Sequence, residues 1–295
     1  MTTAEAKASA SSLAIASVRT RPPWWHRALK NRNLMIGILI ILLMLAIGLL
    51  APVLSPYDPM KPNYSSIIQP PSLSHPFGTD AFGRDVLTRV MYGARIDLRV
   101  GITAVLSPFI IGIILGSLAA YFGGVVETII MRILDIVQAF PFIVLIIAVV
   151  AILGPGLNNM YIAVALTAWV VYARLIRSEI LVQKEQEYVI AAQAMGASNG
   201  RVMLRHLMPN TITSSIVYSM ADIALYILLA AALSFLGLGA KPPTPEWGAL
   251  ITEGQAYMTT AWWMSTLPGL AIVITGIGLS LIGDGLSDLL RPAGR

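Results

Sequence analysis

The sequence predicts an all-α membrane protein with about six transmembrane helices. Only 12% of its 295 residues are charged and 56% are hydrophobic, whereas soluble domains carry about 25% charged residues. The apolar residues also fall in blocks of about 20 or more, which is enough to cross a hydrocarbon core of ~30 Å as helices. Backbone groups in lipid must hydrogen-bond internally, and the alternating pattern of barrel strands is absent, so helices are expected over these blocks.

The apolar runs define the predicted domain organisation. Residues 1–33 are polar and basic and predict a cytoplasmic N-terminal tail. The first run, 34–54, predicts an uncleaved transmembrane helix, because it is too long for a signal peptide. Five more runs lie at about 98–121, 126–152, 160–180, 211–236 and 264–287. We therefore expect a first helix with an extracytoplasmic loop over 34–97, a five-helix core over 98–290, and a cytoplasmic tail over 291–295.

The placement of lysine and arginine predicts the orientation. If the N-terminus is cytoplasmic, 14 of the 20 lysines and arginines lie in, or at helix ends next to, cytoplasmic segments. The other six lie outside, most of them just before and within the start of the second run. An excess of basic residues in cytoplasmic segments sets orientation in membrane proteins. Both termini are therefore predicted to be cytoplasmic.

Several kinds of site are disfavoured by composition. The chain has no cysteine, and its three histidines show no metal-ligand spacing. No basic stripe with interleaved aromatic residues indicates nucleic acid. None of the five lysines follows a glycine, as a phosphate-binding Walker A loop requires. We expect no cofactor or metal on this chain, and any ATP-driven step must use a separate subunit.

The longest polar stretch between predicted spans reads LVQKEQEYVIAAQAMGASNGRVMLRHLMPN, residues 181–210. Residues 184–195 favour a helix with acidic residues in its first turn. Gly196 is expected to end that helix in a left-handed cap, and Ser198 to begin a second short helix before Pro209. The alanines give a surface that another chain could approach closely. A solvated connector, with alanines present for helix propensity, explains the same pattern.

This stretch resembles the EAA loop of ABC-importer permeases, which reads Glu-Ala-Ala, three residues, Gly, nine residues, Ile, one residue, Leu-Pro. Ala191, Ala192, Gly196 and Pro209 match in register, whereas Ile190, His206 and Met208 replace the Glu, Ile and Leu. The resemblance implies a coupling helix that docks on an ATPase subunit. The implied coupling residues are Ala191, Ala192, Ala194, Met195, Gly196, Ala197, Ser198, Arg205, His206 and Pro209.

Other motifs resemble the second, C-type permease of dipeptide and oligopeptide importers. They are HPFGTDAFGRDVLTRVMYGARIDL, YFGG, MRILDIVQAFPF, LGPG, LSFLGLG and PPTPEWG, in that order. The resemblance implies a type I ABC-importer permease in the bacterial inner membrane. It also implies a homologous second permease, two ATPase subunits that bind ATP and Mg, a solute-binding protein and a peptide substrate. The same machinery with glutathione, nickel chelates or another solute is one alternative, and an ion-driven secondary transporter is another.

Charged residues inside or beside the spans are candidates for the transport path. Arg132 and Asp135 lie three apart on a helix, so they could pair, and they serve either to anchor the helix end or to gate. Asp222 lies inside the fifth span, where a charge usually faces a cavity or a partner. In the loop before the second span, Asp80 lies just before, and Arg84 and Asp85 lie within, a short helix at the membrane interface that is expected over 81–92. They either contact the solute-binding protein or form local caps and salt bridges.

Overall fold

The computed structural model describes residues 24–290 and is helical through most of that range. The helices are α1 (Trp24–Lys30), α2 (Arg32–Leu54), α3 (Val86–Phe122), α4 (Gly124–Gln138), α5 (Phe142–Leu153), α6 (Leu157–Gln183), α7 (Glu187–Ala194), α8 (Asn199–Arg201), α9 (Met208–Phe235), α10 (Trp247–Gln255) and α11 (Trp263–Leu290). A π-helical stretch, Val202–Leu207, joins α8 to α9, and a 3₁₀ turn covers Tyr64–Ser66. Residues 1–23 of the N-terminal tail predicted over 1–33, and the tail predicted over 291–295, lie outside the described residues.

The prediction of about six spans is confirmed. Five helices, α2, α3, α6, the continuous α8–α9 unit and α11, are long and apolar enough to cross a membrane. The pair α4 and α5 makes a sixth span if it is counted as one, although it bends by 85° at its break. Pro141 causes the break, because a proline lacks the N–H needed for the helix ladder and disfavours helical geometry in the residue before it.

The bundle has two ends that contacts along the chain define. The end of α2 meets the start of α3, where the hydroxyls of Ser55 and Thr88 are 2.5 Å apart. At the opposite end, Tyr121 near the end of α3 hydrogen-bonds Asn199 of α8. We call this second end the α7 end and the first one the α10 end. The pair α4–α5 starts at the α7 end and finishes at the α10 end, where the N–H of Gly156 bonds Leu238, so it crosses the bundle once.

Both described chain ends lie at the α7 end. Arg27 of α1 donates a hydrogen bond to the carbonyl of Leu289, at the end of α11, over 3.2 Å. Part of the predicted N-terminal tail is helical, over Trp24–Lys30. Both ends of the described chain are therefore at the same end of the bundle as α7 and α8.

The second span begins earlier than its apolar run predicts. The separate helix expected over 81–92 is wrong, because residues from Val86 onward belong to the 37-residue helix α3. Asp85 starts α3 as its N-cap, accepting bonds from the backbone N–H and the hydroxyl of Thr88, both at 2.7 Å. The predicted boundary between residues 97 and 98 consequently falls inside a helix.

Small residues allow the spans to pack closely. Helices α3 and α6 form the most extensive helix–helix contact, and Gly112 and Gly116 lie directly against the α6 backbone near Ala173. Gly37 of α2 lies similarly against α11, where an added Cβ would be 2.6 Å from the carbonyl oxygen of Gly278. Close backbone approach through small residues is the usual way in which helices associate in lipid.

Candidate functional site

The segment between α6 and α9 has the local structure that its sequence predicts. Glu187 lies in the first turn of α7, where the helix dipole favours an anion. The helix ends at Gly196, whose φ is 81°. The N–H of Ala197 bonds the carbonyl of Ala192 at 3.1 Å, and the N–H of Gly196 bonds Gln193 at 2.9 Å. These two bonds form a Schellman cap, which requires the left-handed residue.

The second half of the segment continues into the fifth span. Ser198 occupies the N-cap position of α8 as predicted, but its hydroxyl makes no capping bond. Residues from Asn199 onward run through the π-helical stretch into α9 without a gap. Pro209 is an early residue of α9, directly after the π-helical stretch. A proline lacks the N–H that would complete the helix ladder, so a change in the hydrogen-bond pattern is expected just before it. π-Helical turns inside α-helices are frequent at functional sites.

One face of this segment is fixed to the membrane spans. Val189, Val202 and Leu207 are fully buried against α3 and α6 at the α7 end of the bundle, together with Ala120, Ile176 and Ile180. Ala192 is also buried, at 4% exposure. The prediction that Ala192 belongs to a docking face is thus wrong, because its methyl group points at the chain itself.

The opposite face is open to solvent or to a partner. Met195 is 82% exposed at the helix end, Ile190 is 54% exposed, and Leu204 is 69% exposed. The remaining predicted coupling residues are exposed at Ala191, Ala194, Gly196, Ser198, Arg205 and Pro209 and half-buried at Ala197 and His206. Exposed apolar side chains around small residues, at the end of a bundle and on a rigidly packed helix, form a surface suited to another protein.

The predicted pair of Arg132 and Asp135 is wrong. Asp135 instead accepts a hydrogen bond from Arg174 of α6 at 3.0 Å, and Arg132 is exposed with no ion-pair partner among residues 24–290. Close by, Arg177 of α6 pairs with Glu127 of α4. Two ion pairs therefore connect the first half of the broken span to α6, and both are at least partly exposed.

Asp222 lies at a cavity, as its position inside a span suggests. The cavity has a volume of about 170 Å³ and lies between the break after α4 and the helices α6 and α9. Asp222 itself is 4% exposed. Its Oδ2 accepts hydrogen bonds from the hydroxyls of Tyr172, at 2.7 Å, and Tyr226, at 3.3 Å. No residue in 24–290 forms an ion pair with it.

The charged residues of the loop between α2 and α3 form an internal network with α3 and α10. Arg84 and Arg89 both contact Asp80, at 2.7 and 2.6 Å, and both contact Glu253 of α10, at 2.6 and 2.5 Å. Asp85 caps α3 and also bonds the His75 ring at 2.9 Å. Asp80, Arg84 and Asp85 are at most 4% exposed. Their burial supports local capping and salt bridging and argues against direct contact with a binding protein.

A second buried polar cluster was not singled out from the sequence. Glu246 caps α10 through the N–H groups of Gly248 and Ala249, at 2.9 and 2.8 Å, and accepts the Ser234 hydroxyl at 2.7 Å. Asp97 of α3 accepts the N–H of Trp247 at 3.0 Å. The motifs PPTPEWG, LSFLGLG and GARIDL contain these residues. The signal in the sequence is a polar residue in each of three largely apolar motifs, and the structure brings these residues into neighbouring positions.

Known membrane transport proteins resemble this chain in sequence. The family of binding-protein-dependent transport system inner membrane components matches residues 112–295, and the N-terminal TM domain of oligopeptide transport permease C matches 23–71. The dipeptide transport system permease protein DppC of Alkalihalophilus pseudofirmus is 42% identical over 92% of this chain and 90% of its own length. The glutathione transport system permease protein GsiD of Pectobacterium atrosepticum is 43% identical over 94% and 92%.

A solved structure shares the fold. A chain from the MetNI methionine ABC transporter, in an inward facing conformation, superposes with a TM-score of 0.56 at 18% identity. The match covers 69% of this chain and 97% of the other. The family match over residues 112–295 and the membrane-spanning helices indicate the same kind of protein. This chain is a multi-pass bacterial inner-membrane protein, and it belongs to the family of binding-protein-dependent transport system inner membrane components.

Proposed function

We propose that this chain is one permease subunit of an ATP-binding-cassette importer for dipeptides and short oligopeptides. The observation that carries the proposal is the segment 187–210. One face of it packs against the spans, and the other face is exposed. A segment with this geometry can contact a separate ATPase subunit and transmit its conformational change to the spans. The substrate class is carried over from the relatives, one of which is a dipeptide permease at 42% identity.

The proposed assembly contains a homologous second permease, two ATPase subunits and an extracytoplasmic solute-binding protein. The ATPases bind ATP and Mg and contact the exposed face of α7, around Ala191, Ala194 and Met195. Movement of α7 would reach the pathway directly, because its buried face packs on α3 and α6. Arg132, Asp135 and Asp222 are proposed to lie on or beside the moving parts of that pathway.

The α7 end is proposed to face the cytoplasm, with both chain termini. The excess of lysine and arginine in the segments at this end supports the orientation. Reporter fusions after residues 60, 157 and 245 should be extracytoplasmic, and a fusion after 195 should be cytoplasmic.

Reconstitution tests the function. With its partner subunits in proteoliposomes, the chain should support dipeptide uptake that requires binding protein and ATP on the α7 side. Alone, it should neither hydrolyse ATP nor accumulate peptide. Uptake by the chain alone under an ion gradient would contradict the proposal and indicate a secondary transporter.

Glutathione is a second candidate substrate, because the glutathione permease relatives are as similar as the dipeptide one, at 43% identity. Competition separates the two. Excess unlabelled dialanine should abolish uptake of labelled dipeptide, whereas excess glutathione should leave it nearly unchanged. Stronger competition by glutathione would assign that tripeptide as the substrate.

A further inference from the structure

The cavity at the break in the third span is lined by residues of four helices, α4, α5, α6 and α9, and of the break itself. The backbone of α4 ends at Gln138 and α5 begins at Phe142, so the gap between them leaves space that a continuous helix would fill. Helices α6 and α9 complete the walls. The lining includes Gln138, Phe140, Thr167, Tyr218, Asp222 and Tyr226. The site is therefore mostly aromatic and apolar, with one carboxylate.

That carboxylate is only half satisfied. Both tyrosine hydroxyls donate to Oδ2 of Asp222. Oδ1 has no hydrogen-bond partner within residues 24–290, yet it is not one of the fully enclosed polar atoms without a partner. It therefore faces the cavity. No arginine, lysine or histidine of the described chain compensates the charge, and an uncompensated carboxylate within a membrane span is costly unless a cation meets it.

The surroundings select the kind of cation. A metal ion such as Ca²⁺ requires six or more oxygen ligands, and Asp222 is the one carboxylate in a wall that is otherwise mostly aromatic and aliphatic. An organic ammonium group is satisfied by one carboxylate together with aromatic rings, through hydrogen bonding and cation–π attraction. A volume of about 170 Å³ is smaller than the ~300–1,000 Å³ of pockets that enclose whole ligands, so it fits one end of a solute.

We propose that this cavity binds the primary ammonium group of the transported solute, which for a peptide is its amino terminus, through Asp222 Oδ1. The peptide part of this assignment rests on the proposed function, whereas the cation site rests on the cavity alone. Asp222 of α9, which lies beside the break between α4 and α5, would hold the amine during passage. It would release the amine when the break straightens or the helices separate.

The absence of cysteine from the chain permits a direct test in the assembled importer. A single cysteine is placed at Val171, which lines the cavity. Its rate of modification is measured by the mass of this subunit, with a cationic reagent, aminoethyl methanethiosulfonate, and an anionic one, sulfonatoethyl methanethiosulfonate. A negative charge in the wall of the same cavity should favour the cationic reagent over the anionic one by about tenfold or more.

Two substitutions at the carboxylate separate a binding role from a structural one. Asp222→Asn keeps an oxygen for the tyrosine hydroxyls but removes the charge, so the cationic preference should disappear. Asp222→Glu should keep it. A cysteine at Thr213, which lines a different cavity, serves as the control and should show the same ratio with and without the Asp222→Asn substitution. A preference at Val171→Cys that persists when Asp222→Asn is also present would overturn the proposal.

Protection by the solute tests the peptide part separately. Dialanine, delivered by the binding protein, should slow cationic modification at Val171→Cys severalfold, and it should do so less in the Asp222→Asn variant. Equal protection in both would show that Asp222 does not hold the amine. If the cationic preference is present but another imported solute protects and dialanine does not, the site stands and the substrate assigned under the proposed function is wrong.

Discussion

Arg89 and Glu253 are 164 residues apart in the chain, yet the guanidinium of Arg89 lies 2.5 Å from Oε2 of Glu253. Arg89 is buried in the second span and Glu253 projects from the short helix α10. Asp80 and Arg84 complete the network. The four side chains connect the loop between α2 and α3, helix α3 and helix α10, so these elements pack together at the α10 end of the bundle.

Removing one charge from this network should destabilise the fold. Glu253→Gln leaves two buried arginines with one carboxylate, and breaking a buried ion pair costs about 3–5 kcal/mol. We expect the lower part of that range, because the side chain of Glu253 is 18% exposed. The thermal unfolding midpoint in detergent should fall clearly. Glu185→Gln, an exposed carboxylate of the same chain, should leave the midpoint unchanged, and an equal fall in both variants would contradict the account.

The contact between Gly93 and Trp247 should be intolerant of any side chain. A Cβ on Gly93 would lie 2.5 Å from Cδ1 of Trp247 and 2.7 Å from the carbonyl oxygen of Pro245. Gly93→Ala should therefore displace α10 and cost about 1–3 kcal/mol, as overpacking does. The matched control is Gly276→Ala, because Gly276 lies in a helix with nothing within 4 Å of an added Cβ. That control should be neutral or slightly stabilising. A neutral Gly93→Ala would show that α10 is not held as described.

Gly196 should matter for its backbone angle and not for space. Its φ is 81° and an added Cβ would meet nothing within 4 Å, so Gly196→Ala introduces only left-handed strain, about 1–2 kcal/mol. Trypsin should then cleave at the exposed Arg201 about tenfold faster, because the cap that orders the segment is weakened. Asn is tolerated better in this conformation, so Gly196→Asn should be milder, and Gly200→Ala should have no effect. Equal rates for all variants would show that the cap does not order the segment.

Neighbouring alanines of α7 should respond oppositely to enlargement. Ala191 is exposed and Ala192 is buried. Ala191→Leu should abolish uptake and co-purification of the ATPase without changing the unfolding midpoint, whereas Ala191→Ser, of similar size, should be nearly normal. Ala192→Leu should lower the midpoint by overpacking against the spans. If α7 is only a solvated connector, Ala191→Leu will be harmless, because leucine is nearly as good a helix former as alanine.

The spans and the segment before α9 could be predicted from the sequence because their signals are local. Apolar length identifies a spanning helix, and a glycine after an alanine-rich helix identifies the cap at Gly196. The start of α3 could not be predicted in this way. Its first turns contain Arg89 and Asp97, which look incompatible with a span until the fold brings Glu253 to Arg89 and the Trp247 N–H to Asp97.

Partner choice among charges was also beyond the sequence. Arg132 and Asp135 have ideal helical spacing, but the structure pairs Asp135 with Arg174, 39 residues away, because α4 packs against α6. Ala191 and Ala192 are likewise indistinguishable as letters. Their opposite exposure follows from how α7 rotates to bury Val189 against α3 and α6.

The central claim is that the exposed face of α7 contacts the ATPase subunit of an importer. Site-specific photo-crosslinking tests this claim most directly. A photoreactive amino acid replaces Met195, which is 82% exposed at the α7 end, or Leu73, which is fully exposed at the α10 end. In the assembled complex, position 195 should crosslink to the ATPase subunit, and position 73 should not. Crosslinking of the ATPase at position 73, or its absence at 195 in a complex that transports, would contradict both the orientation and the coupling role.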